Sequence, residues 1–223
     1  MQTTSNSIPT DLPDAVADPR PLLARAVAVA APVIGRVRPD QLEGPTPCDE
    51  LDVRGLLGHL TGALRRVGVI GQGLDIYAHP AATPGVPDDG WAAVWSATAA
   101  EVERIWRDDT LLTRTYRLPW ATLPGTAVLA SYTAEVTLHT WDVATATSQR
   151  VAWDDEVVSF ALETMHRSLP AEGRAARYAE VAASLPAGVP PMSDPFAEAI
   201  DVGREASPLD QLVAWSGRHP HAS

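Results

Sequence analysis

One stretch, Ala127 to Thr147 (AVLASYTAEVTLHTWDVATAT), restricts what this chain can fold into more than any other. It reads as a single long helix. Within it Glu135 and His139 stand four residues apart, so they share one face, about 6 Å apart along the axis. Leu129, Tyr132, Val136 and Val143 neighbour them on that face. A carboxylate and an imidazole among apolar side chains are expensive to bury without a partner. A divalent cation is one partner that satisfies both. The expectation is that this face holds a metal ion, with His59 from an earlier helix as third ligand.

The rest of the composition narrows the setting. A chain of 223 residues with seven tryptophans has enough material for one packed domain, or a main domain with a small appendage. A net charge of −11 argues against nucleic acid, because phosphate binding needs basic patches. No apolar run approaches the roughly 20 residues that span a bilayer. The first residues, MQTTSNSIPTDLPDAVADP, lack the basic and apolar regions of a secretory signal, and 1–18 is expected to be a flexible tail. Cys48 is the one cysteine, so no internal disulfide can form, and a cytoplasmic protein is expected. Every basic side chain is arginine and Asn6 is the one asparagine, the usage of a GC-rich genome. Without lysine there is no Schiff-base chemistry and no Walker-type phosphate loop.

Along the chain, Leu22, Leu23, Ala26, Val27, Ala30, Val33, Ile34 and Val37 recur at helical spacing from Arg20 onward, with Pro32 inside. A Pro- and Gly-marked loop follows, in which Asp49 or Asp52 can cap a second helix over Val53 to Ile70. Leu56, Leu57, Leu60, Leu64, Val67 and Ile70 form its buried stripe. His59 lies beside that stripe, between Gly58 and Gly62, where a second helix or a ligand can approach closely. Residues 71–90 read as a long loop. Trp91, Val94, Trp95, Val102, Ile105 and Trp106 mark a third helix. LTRTYRLPWATLPG reads as extended, a short hairpin leading to the central helix with Thr126 as its N-cap. A fifth helix spans Asp154 to Ser168. Residues 169–206 show no pattern that orders them. In the last segment Ser207 caps, Pro208 opens and Gly217 stops a final helix.

A Glu-x-x-x-His pair is commonly a surface ion pair, and Asp75 with His79 has the same spacing in a stretch where no helix should persist. The apolar surroundings of Glu135, His139 and His59 separate them from that reading. Two His and one carboxylate are a common set for catalytic Zn²⁺, with open positions for water or substrate. Asp142, one turn past His139, is suited to fixing a ligating imidazole. His79, His166, His219 and His221 read as loop, surface or tail residues. Cys48 reads as a small loop residue and Trp141 as core.

Taken together, PTPCDELDVRGLLGHL, SYTAEVTLHTWDVATAT and the closing SPLDQLVAWSGRHP resemble the mycothiol-dependent maleylpyruvate isomerase family, within the wider DinB-like metal-binding superfamily. The resemblance runs over about residues 20 to 218. It implies a mainly α fold: a DinB-like four-helix bundle with a small C-terminal α/β appendage. The corresponding division is a metal-binding helical bundle over 19–150 and a smaller C-terminal region over 151–223 packed on it. It implies Zn²⁺ or another divalent metal on His59, Glu135 and His139, with Asp142 and, from the C-terminal part, Arg218 as catalytic residues. Arg218 would pair with a substrate carboxylate.

The implied partners are a small-molecule electrophile and a low-molecular-weight thiol, mycothiol, in a monomer or homodimer. Mycothiol belongs to GC-rich actinobacteria, in agreement with the missing lysines. The implied reaction is thiol addition, bond rotation and release, or in related transferases a thiol that stays attached. The alternative is a non-catalytic DinB-like metal- or ligand-binding or stress-response protein. Leu51 stands where the family commonly has Trp, and Gly58 where it often has a polar residue. Both departures leave the ligands intact and bear on substrate identity.

Overall fold

The computed structural model describes residues 18–48, 50–118, 121–184 and 196–220. All but the last residue of the expected tail lie outside them, as do Asp49 and His221. The described chain is mainly helical with one small two-stranded sheet.

Four helices build the bundle: α1 (Arg20–Gly35), α2 (Val53–Gly71), α3 (Trp91–Ile105) and α5 (Gly125–Ala146). They touch in a ring, α1 on α5, α5 on α2, α2 on α3 and α3 on α1. Leucines 56, 57, 60 and 64 of α2 and Val128, Leu129, Val136 and Val143 of α5 are fully buried between them. Pro32 does not break α1, because it sits on the exposed side, where water can take the carbonyl its missing N–H leaves free. Asp52 caps α2, its Oδ1 accepting the Gly55 N–H at 2.7 Å.

The single turn α4 (Thr110–Thr113) and the antiparallel hairpin β1 (Thr115–Arg117) and β2 (Thr122–Pro124) lead into α5, with Tyr116 opposite Leu123. The start of α5 differs from expectation. Thr126 is not its N-cap: the helix begins at Gly125, behind Pro124, with no side-chain cap. A Cβ on Gly125 would overlap the Leu111 carbonyl, so close approach of α4, and not a hydroxyl cap, sets this end.

α6 (Asp155–Ser168) packs on α5 and α1, its first N–H groups held by Asp154. α7 (Arg174–Ser184) follows, and α8 (Pro208–Trp215) packs on α6. At the end of α8, Gly217 takes φ +81°, its N–H donates to Ala214, and the Arg218 N–H donates to Val213. This is a Schellman turn, which glycine makes accessible. It reverses the chain and delivers the Arg218 side chain to α5. No helix among the described residues is long and apolar enough to cross a membrane.

Candidate metal centre

The α2–α5 contact brings His59 against the Glu135 and His139 face. Glu135 Oε1 lies 3.0 Å from His59 Nε2 and 3.4 Å from His139 Nε2. The two imidazoles meet edge to face, with centroids 4.7 Å apart. One ligand atom from each of the three residues lies within 4.8 Å of the others, and among the described residues this is the one such group of three. Atoms bound tetrahedrally at about 2.0–2.1 Å are about 3.3–3.4 Å apart, so two of the three edges already have the size a cation requires. The donor set, two imidazoles and a carboxylate, fits Zn²⁺ and leaves room for a further ligand. His59 and Glu135 are half-buried, which keeps an approach open.

Without a cation, the electrostatics of the cluster fall on its own protons. Burial alone would push Glu135 up, but the charge of His139 and the hydrogen bonds from both imidazoles hold it well below the usual carboxylate range. Burial would likewise lower His139, but Glu135 and Asp142 together hold it up at about 9.

Behind His139 lies a buried chain. His139 Nδ1 donates to Asp142 Oδ2 at 2.9 Å. Arg218 grips the same carboxylate with two prongs, Nε to Oδ1 at 2.7 Å and Nη2 to Oδ2 at 2.9 Å. Asp142 is 0% exposed. A carboxylate so held can only accept from the imidazole, which leaves Nε2 as the nitrogen facing Glu135. The remaining Nη1 of Arg218 donates to the Ser216 carbonyl, and its guanidinium lies over Phe196. Its fork is engaged by Asp142. Ser216 and Phe196 carried no signal in the sequence, since each joins the site only through Arg218.

The wall beside His59 explains a departure noted above. The loop before α3 lays its backbone on α2: the Thr83 N–H donates to Gly58 O, and a Cβ at Gly62 would overlap the Ala81 carbonyl. Both glycines admit that loop next to the ligand. Gly62→Ala is therefore expected to cost about 2 kcal/mol through overpacking; a thermal melt matching the unsubstituted protein would refute the close approach. Cys48 is a loop residue as expected: its N–H donates to Thr46 Oγ1, and burial pushes its thiol up. His79, His166 and His219 stay out of the site, His166 lying edge-on against Trp215.

A helical bundle with a His-Glu-His cluster between two of its helices is a frame able to hold a divalent cation. The family model described as the mycothiol maleylpyruvate isomerase N-terminal domain matches residues 23–144, more than half of the chain, and the chain belongs to this family. Two proteins of Mycobacterium tuberculosis, from strains CDC 1551 / Oshkosh and ATCC 25618 / H37Rv and both described as uncharacterized, are each 34% identical over 200 residues, covering 89% of this chain and 97% of theirs. No solved structure matches the chain.

Proposed function

We propose that this protein holds a divalent metal, zinc by its donor set, on His59, Glu135 and His139, and acts as a thiol-dependent isomerase or S-transferase on a small electrophile. The observation that carries the reading is the convergence of those three side chains from α2 and α5 onto one point. The family membership supports mycothiol as the thiol. Bound there, a divalent cation would supply Lewis acidity able to lower the pKa of a thiol at neutral pH.

The chain's own residues prepare that site. Asp142 accepts the hydrogen bond from His139 Nδ1–H and so leaves Nε2 as the nitrogen that would bind a cation. Arg218 fixes the Asp142 carboxylate from the opposite side. Residues 19–150 form the metal-holding bundle in this reading. Residues 151–223 form the smaller C-terminal region, needed because it carries Arg218.

Calorimetric titration with mycothiol tests the proposal. Heat is expected from the metal-loaded protein and far less from the metal-stripped one. No heat from the loaded form would exclude a thiol enzyme. Turnover of a small electrophile on adding the thiol separates catalysis from carriage.

A further inference from the structure

Beyond the His-Glu-His cluster, helix geometry singles out one further cation on the α2–α5 face. Seven residues are nearly two whole turns, so i and i+7 fall within about 20° on one face, about 10.5 Å apart along the axis. Arg66 bears this relation to His59 on α2, and Tyr132 bears it to His139 on α5. The two helices therefore carry a second storey of side chains beyond the metal-holding one.

The members of that storey meet. The Arg66 guanidinium stands beside the Tyr132 hydroxyl, at the edge of hydrogen-bonding reach and short of a well-formed bond. Tyr132 is 5% exposed, and its buried Oη has no hydrogen-bond partner. Burial pushes its phenol well up, so it remains a donor. Arg66 is half-buried and makes no ion pair among the described residues, although acidic side chains outnumber basic ones, 28 to 17, in the whole chain. A buried hydroxyl without a partner is costly. A guanidinium and a hydroxyl side by side match the charge and the two acceptor oxygens of one carboxylate.

Resting on the metal-site reading above, we infer that Arg66 and Tyr132 form the carboxylate anchor of the substrate site, one storey along the α2–α5 face from the cation. The electrophile then carries an anionic end that Arg66 grips while its reacting end lies at His59, Glu135 and His139. Arg65 faces about 120° away from His59 on the same helix and takes no part.

The test uses the full chain and succinate as probe, with succinamide as its uncharged counterpart. Calorimetry is run on metal-stripped protein, so that carboxylate–metal binding does not contribute. Succinate is expected to bind and succinamide not to. Arg66→Gln is expected to weaken succinate about tenfold or more, and Tyr132→Phe about threefold. Arg66→Lys should recover part of the loss, and Arg65→Gln should leave binding unchanged. Absence of succinate binding, equal binding of succinamide, or an Arg66→Gln affinity equal to that of the unsubstituted protein would overturn the anchor. Failure of the metal reading shows separately, as full metal content in both His59→Ala and His139→Ala, and does not alter the succinate titration.

Discussion

His59→Ala and His139→Ala proteins are expected to retain less than about a tenth of an ion per chain, against about one in the unsubstituted protein, after passage through a weak chelator. Each substitution removes one of three protein ligands and leaves a pair too weak to compete. Melting provides a parallel readout. Metal that binds only the folded state raises the melting temperature of the unsubstituted protein, and that rise should vanish in both variants. Full metal content in both would rule out the site.

The same cluster sets a pH dependence. His139 has its metal-free pKa raised to about 9, so at pH 7 it carries a proton that the cation must displace. Protons compete less as the pH rises, so apparent metal affinity should climb roughly tenfold per pH unit up to about 9 and then flatten. Calorimetry at pH 7 in two buffers of different ionisation enthalpy should report about one proton released per ion. No release would show that His139 is not a ligand.

Asp142→Ala is expected to destabilise the fold by about 3–5 kcal/mol, because it strands the Arg218 guanidinium in a buried site. Both carboxylate oxygens accept from Arg218, one of them also accepts from His139, and neither residue has appreciable solvent access. For a chain of this size the shift in melting temperature is on the order of 10 °C. Removing both charges together, as Asp142→Leu with Arg218→Met, should restore most of the stability, since replacing a buried pair with packed apolar groups is often nearly neutral. Metal affinity should nonetheless fall about 10- to 100-fold in the double variant, because His139 loses the partner that orients it. A melting temperature of Asp142→Ala within a degree or two of the unsubstituted protein would refute the buried-pair account.

Local features account for what the sequence by itself determined. Helix spacing predicts the central helix and places Glu135, His139 and Asp142 at i, i+4 and i+7 on one face. The caps Asp52 and Ser207 and the Gly217 stop act on N–H and carbonyl groups only a few residues away, so their chemistry is complete within short stretches. Thr126 failed as a cap for the opposite reason: the limit on α5 comes from Leu111, a contact made only after α4 folds back.

Tertiary structure alone decided which helix faces which. Periodicity tells which side of α2 and of α5 is buried, but not that they bury those sides on each other. The distance between His59 and Glu135, 76 residues apart in the chain, is therefore a product of packing. So is the grip of Arg218 on Asp142, also 76 residues apart. A charged side chain within reach of a buried, fixed carboxylate pairs with it, and only the folded chain shows which charges come within reach.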